Sequence, residues 1–234
     1  SDSERDISVI MSILSNYTPN CLVRIWNECS IEELGTVEGM EPQEFAEKFA
    51  RAIKVAQVDV HRATTHNKGI FNGVDAVILA TGNDFRAVEA CGHTYASRSG
   101  KYRSLTSVDI SNGRFKFMLE LPMAVGTVGG LTALHPLAKR SLQMLGNPGA
   151  DELMMVAAAA GLANNFGAVK SLTTTGIQKG HMKMHLLNIL NSLAATKAET
   201  EKTKTWFEDK VVSYPAVRNY LISLRAEKNK PEFR

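Results

Sequence analysis

Apolar residues recur along the chain in two periods. The period of two is clearest in Ser104–Ile110 and Arg114–Leu121, where Phe115, Phe117, Leu119 and Leu121 alternate along one face; Ser111-Asn112-Gly113 joins the runs as a hairpin. Cys21 to Trp26 is rich in β-formers and predicts a further strand. The helical period begins after Glu41-Pro42-Gln43-Glu44, an N-terminal helix signal that leads into Phe45, Phe49, Ile53 and Ala56 on one face. Ile7 to Leu14 suits either a short helix or a buried strand, and Ser15 to Asn20 breaks it.

Asn67 to Arg98 combines helical periodicity with Gly69, Gly73 and Gly82, which implies close approach of backbone or ligand. Helices are predicted over Asp151–Asn164, Ala168–Thr174 and His181–Leu193, punctuated by Gly161, Gly167 and Gly176. From about Lys197 the chain turns charged and amphipathic. Trp206, Phe207, Val211 and Val212 fall on one predicted helix, and Val217, Tyr220, Leu221 and Leu224 on another after Pro215, which makes a helical appendage of roughly 40 residues.

Composition changes this picture little. The 234 residues are 44% hydrophobic and 22% charged with a formal net charge of +3, which excludes disorder and gives no field for nucleic acid. Cys21, Cys29 and Cys91 form no CxxC pair, so neither a disulfide framework nor a cysteine zinc site is expected, and a reducing cytoplasm fits. The most apolar stretches, Ala76–Ala80 and Met154–Ala160, fall short of the roughly 18 to 20 residues that cross a bilayer, so no membrane span is expected. The opening Ser-Asp-Ser-Glu-Arg-Asp has neither a start methionine nor the order of a signal peptide, and a lost beginning is expected.

Chemistry concentrates in a few places. In Arg62-Ala63-Thr64-Thr65-His66-Asn67-Lys68-Gly69, with Asn72 beyond, polar residues interrupt apolar sequence; on a helix Lys68 and Asn72 would share a face and address one ligand oxygen. Asp84, in Ala80-Thr81-Gly82-Asn83-Asp84, could keep such a lysine protonated, although a structural Lys-Asp pair has the same spacing. Gly126-Thr127-Val128-Gly129-Gly130 invites a phosphate-cradle reading, but it is not GxGxxG and opens no visible βαβ unit, so on spacing alone a turn or close helix packing is expected ahead of it. His181 and His185 stand four apart without the glutamate of HExxH, which argues against a hydrolytic metal site. An exposed His181 could deliver a proton, and His185 fits a structural role.

Taken together and in this order, Arg62 to Gly69, Leu79 to Asp84, Gly126 to Gly130 and Gly180-His181-Met182 resemble the motifs of class II, bacterial-type 3-hydroxy-3-methylglutaryl-coenzyme A (HMG-CoA) reductases. The similarity runs from Ile13-Leu14-Ser15-Asn16 through the C-terminal appendage. It implies an α+β fold, with a large domain built on a long central helix and a hairpin-containing sheet. The implied domains are the end of an inserted small dinucleotide-binding domain at 1–20, the large substrate-binding and catalytic domain at 21–185, and a C-terminal helical flap at 186–234. It implies reduction of HMG-CoA to mevalonate and coenzyme A by two hydride transfers from NADPH or NADH, in a cytoplasmic enzyme.

By the same resemblance Lys68 would stabilise the thioester oxyanion, Asp84 would hold Lys68, and His181 would protonate the departing thiolate. Arg62 would pair with the substrate carboxylate, with Thr65, Asn72 and Asn16 adding contacts, and Gly126, Gly129 and Gly130 would face the cofactor. A homodimer with shared active sites is implied, and some family members carry the reductase behind an acetoacetyl-CoA thiolase. The Glu-Asn-x-x-Gly and Asp-Ala-Met-Gly motifs of the family do not occur in these residues and would lie before Ser1. A non-catalytic module that only binds the thioester, or assembles with an N-terminal half, is the competing reading.

Overall fold

The computed structural model of the chain describes residues 8–174 and 176–228, without the side chains of 133, 177–183, 227 and 228. Three strands, β1 (Leu22–Ser30), β2 (Thr106–Ser111) and β3 (Arg114–Pro122), form an antiparallel sheet in the order β1-β3-β2. The hairpin closes on Asn112 and Gly113, with φ of 51° and 70°; positive values at both central residues are what a type I′ turn requires. The register pairs Ile25 with Leu119 and Val108 with Phe117, so the alternating residues of β3 reach one core.

That core is closed by helices. After Glu41 in extended conformation, α1 (Pro42–Val58) buries Phe45, Phe49 and Ile53, and Phe49 meets Phe117 edge-on with ring centroids 5.2 Å apart. The chain breaks only at Asp59, whose carboxylate accepts the Arg62 N–H at 2.6 Å and caps α2 (Val60–Ala80). A short corner leads to α3 (Phe85–Ala96); after the hairpin come α4 (Gly130–Leu134), α5 (Pro136–Met144) and the long α6 (Ala150–Thr173).

Three expectations are corrected. The helices predicted over Asp151–Asn164 and Ala168–Thr174 are one continuous α6: the buried Asn165 and Val169 hold the helix across Gly167, whose cost inside a helix is only about 1 kcal/mol, and Gly161 packs, since a Cβ there would lie 2.7 Å from Val74 Cγ2 of α2. The same continuity makes α6, among the described residues, one helix of 24 residues long and apolar enough to cross a membrane by length and composition. Its Ala157, Ala158, Leu162 and Val169 belong to the core shared with α1, α2 and β3, as the central helix of a packed domain would. Residues 8–15 form no regular element, and Val9, Ile10, Ile13 and Leu14 are exposed. Ile7 lies outside the described residues.

A second compact unit begins at Thr174. Its helices α7 (Ile177–Ser192), α8 (Lys197–Trp206) and α9 (Tyr214–Lys228) enclose Leu186, Ile189, Leu190, Phe207, Val217 and Leu221. Since α7 supplies half of that core, the break precedes α7 instead of falling at 185/186. A capping box of Thr196 and Glu199 starts α8, which ends at Trp206, so Val211 and Val212 lie beyond it in the connection to α9.

Candidate active site

The rotation of α2 decides what it presents. Ala63, His66, Asn67, Ile70, Phe71, Val74 and Ile78 point inward, which leaves Thr65, Lys68 and Asn72 exposed at spacings of three and four along one stripe. Arg62 stands half-buried beside this stripe. Burial lowers its pKa from the ordinary guanidinium value, and no carboxylate among the described residues pairs with it. A partly desolvated cation, a hydroxyl, an ammonium and an amide thus line one helix face, a donor set suited to carboxylate and carbonyl oxygens.

Polar residues on the inward side fix that rotation. His66 Nε2 lies 2.6 Å from Thr106 Oγ1, Asn67 donates to the Arg103 carbonyl at 2.8 Å and accepts the Leu105 N–H at 3.0 Å, and Asn165 of α6 donates to the His66 carbonyl at 3.2 Å. Burial, reinforced by the charge of Arg62, drives the His66 pKa down to about 3, so the ring is neutral at physiological pH. His66 and Asn67 were not among the expected site residues. Their signal was positional: two polar side chains on the apolar side of a helix, inside the motif itself.

Asp84 occupies the other end of α2. It is the N-cap of α3, accepting the Arg86 and Ala87 N–H groups at 3.0 and 3.4 Å, and it pairs with the Arg86 guanidinium at 3.3 Å. That hydrogen bond to Arg86 is the largest of the effects that hold its carboxyl below the usual range. Lys68 stands twelve residues before Ala80, the last residue of α2, about 18 Å along the axis at ~1.5 Å per residue. Within one chain the expected Lys68–Asp84 pair is therefore not formed; among the described residues the ion-pair partner of Asp84 is Arg86.

Asp84 is instead grouped with the glycine loop. Asn83 Oδ1 accepts the Gly126 N–H at 2.7 Å, and Nδ2 donates to the Gly126 carbonyl at 3.0 Å. Gly129 and Gly130 have φ of 76° and 48°, and a Cβ at either would meet nothing within 4 Å, so their backbone lies open to a ligand. Asn83 lay inside a motif already singled out, yet nothing local marked it, because its partner is far along the chain.

The remaining candidates are dispersed. Asn16 is exposed in a bend outside any element. His181 lies in the second turn of α7, not at its start, since the helix begins at Ile177 after Gly176 (φ 81°); its side chain lies outside those described. His185 is exposed one turn further on. Among the described residues no cluster of histidine, cysteine and carboxylate groups could hold a metal ion.

Known proteins resemble this chain closely. The family model described as hydroxymethylglutaryl-coenzyme A reductase matches residues 2–186. A 3-hydroxy-3-methylglutaryl-coenzyme A reductase of Archaeoglobus fulgidus is 44% identical over 195 residues, covering 83% of this chain and 43% of the relative. A probable reductase of the same name from Borreliella burgdorferi is 37% identical over 166 residues, covering 70% and 38%. A solved class II enzyme from Streptococcus pneumoniae, bound to NADPH in open conformations, superposes with a TM-score of 0.68 at 40% identity, covering 92% of this chain and 53% of that one. The chain thus spans about half or less of the length of the relatives it matches. With most of its residues inside the family model and its fold shared with solved members, the chain belongs to the class II HMG-CoA reductase family.

Proposed function

We propose that this chain is the portion of a reductase that carries Lys68, Asp84 and His181, and that the whole protein reduces HMG-CoA to mevalonate and coenzyme A. The observation that carries this reading is the stripe of Thr65, Lys68 and Asn72 beside Arg62, which pairs with no carboxylate among the described residues. Arg62 offers a planar fork to the terminal carboxylate of the substrate. Lys68 points its ammonium at the thioester carbonyl, where negative charge develops, with Thr65, Asn72 and Asn16 adding contacts around the reacting group. His181 protonates the departing thiolate, whose ordinary pKa of about 8.5 suits an imidazolium acid.

The open backbone at Gly129 and Gly130 fits close approach by a nicotinamide cofactor, NADPH or NADH, with Gly126 held below it. That cofactor, when bound, supplies the hydride. The separation of Lys68 from Asp84 along α2 favours a homodimer in which Lys68 of one copy meets Asp84 of the other. The exposed apolar side chains of Val128, Leu131, Leu134 and Leu137 favour burial of this side of the unit against further protein. The reading includes a cytoplasmic setting, no nucleic-acid or membrane partner, and an arrangement in which a thiolase domain can precede the reductase.

The test is nicotinamide oxidation with HMG-CoA, followed by absorbance in the natural polypeptide that carries this chain. Lys68→Ala is expected to lower kcat by about 10²- to 10³-fold, the usual loss of one oxyanion donor. Turnover close to that of the unaltered protein would overturn the assignment.

A further inference from the structure

The corner between α2 and α3 is held from both sides. Thr81 donates its hydroxyl to the Val77 and Ile78 carbonyls at 2.8 and 3.2 Å, which leaves its oxygen to accept from Asn83 Nδ2 at 3.2 Å. The same amide closes both hydrogen bonds on the Gly126 peptide. Gly126 presents one donor and one acceptor, so only one orientation of the Asn83 amide satisfies it. Asp84, the next residue, caps α3. Gly82, the preceding one, has φ 76°, and a Cβ there would stand 3.1 Å from Ala138 Cβ of α5 and 3.6 Å from the Thr132 nitrogen of α4, so this corner has little room to shift.

The glycine loop has few other ties. The Met123 N–H donates to the Cys21 carbonyl at 2.9 Å, and the Gly129 carbonyl accepts the Thr132 hydroxyl. Between those two points, the described hydrogen bonds of the loop are those with Asn83. Alanine at 83 would remove both bonds and leave the exposed Gly126 groups to water, with nothing to hold the loop to the corner. Aspartate would set a carboxylate oxygen against the Gly126 carbonyl.

We propose that Asn83 is a positioning residue of the reductase site: it locks the Gly126–Gly130 loop in register with the first turn of α3, so that a cofactor seated on the loop and the Asp84 carboxylate are placed as one unit. The proposal rests on the reading of that loop as the cofactor-facing segment. Loss of the lock has a distinctive consequence. Cofactor binding suffers while the Arg62–Asn72 stripe, anchored separately through His66 and Asn67, keeps its geometry.

The experiment compares the unaltered natural polypeptide with Asn83→Ala and Asn83→Asp, by steady-state kinetics and residue-resolved amide exchange. Asn83→Ala is expected to raise the KM for the nicotinamide about tenfold and to leave the KM for HMG-CoA within about twofold, as loss of one well-placed side-chain contact would. Exchange at Gly126, Arg86 and Ala87 should accelerate together, and Asn83→Asp, which keeps the acceptor for Gly126, should fall between. An equal rise in both KM values overturns the proposal, and so does release of Gly126 with Arg86 and Ala87 unchanged. If the unaltered protein does not oxidise nicotinamide with HMG-CoA, the functional reading fails, and the exchange data still decide whether loop and Asp84 are coupled. If Asn83→Ala does not fold, the exchange pattern of Asn83→Asp decides alone.

Discussion

A Cβ at Gly73 would overlap the main chain of Ala160, whose carbonyl carbon lies 2.7 Å from that point and whose oxygen lies closer still. α2 and α6 are in backbone contact there, and neither can yield without separating. Gly73→Ala would gain up to about 1 kcal/mol in helix propensity. Against this, overpacking typically costs about 1–3 kcal/mol, and backbone cannot rotate aside as a side chain does. The variant should be less stable in urea denaturation; an unchanged or higher midpoint would show that the two helices can part at little cost.

Asp75 supplies a pH signature. Its Oδ1 is buried without a hydrogen-bond partner among the described residues, and Glu89 of α3 faces it. Burial first, and then the charge of Glu89, push the Asp75 carboxyl from its ordinary 3.8 up to about 7. A proton on the pair would supply the missing donor. Because the folded value exceeds the unfolded one, the folded state gains stability from protonation that is complete below about pH 4 and is lost as pH rises through 7. Asp75→Asn should therefore grow more stable relative to the unaltered chain between pH 5 and pH 8. A difference that stays constant across those values would remove the carboxyl pair from the account.

The separation of Lys68 and Asp84 can be tested by mixing defects. If the site is composite, a heterodimer of Lys68→Ala and Asp84→Asn subunits has one site with both defects and one with neither. Co-expressed variants, half of them heterodimeric by statistical assembly, should then regain about a quarter of full turnover, although each homodimer is inactive. Mixtures as inactive as the separate variants would place both residues in a site within one chain.

Local signals were legible in the sequence, and distant ones were not. Asn112-Gly113 between alternating runs announced the hairpin because the turn chemistry is contained in two residues. Pro42 and the apolar face behind it likewise announced α1. Gly167 misled because a glycine that ends a helix and one carried inside it look alike in sequence, and the buried Asn165 and Val169 that hold α6 across it are seen only in the fold. The apolar run at Val9 to Leu14 suggested an element, but these residues are exposed and form none. In the candidate site, helical spacing put Lys68 and Asn72 on one face, while Arg62 and Thr65 came only from the resemblance of their motif. His66, Asn67 and Asn83 were singled out by neither, because their partners Thr106, Arg103 and Gly126 lie 36 to 43 residues away. For Asp84, the sequence did not show that within one chain Arg86 is its partner and Lys68 stands a long stretch of α2 away.

That length makes α2 a gauge. The Arg62–Asn72 stripe lies in the first two thirds of this unbroken 21-residue helix and the Asp84 corner just past its end. One residue inserted between Asn72 and Ala80 would turn one group against the other by about 100° and move them ~1.5 Å apart. Side chains of this helix outside its inward face and the Arg62–Asn72 stripe can vary, but its residue count cannot: a single insertion or deletion would misalign both groups while leaving each intact.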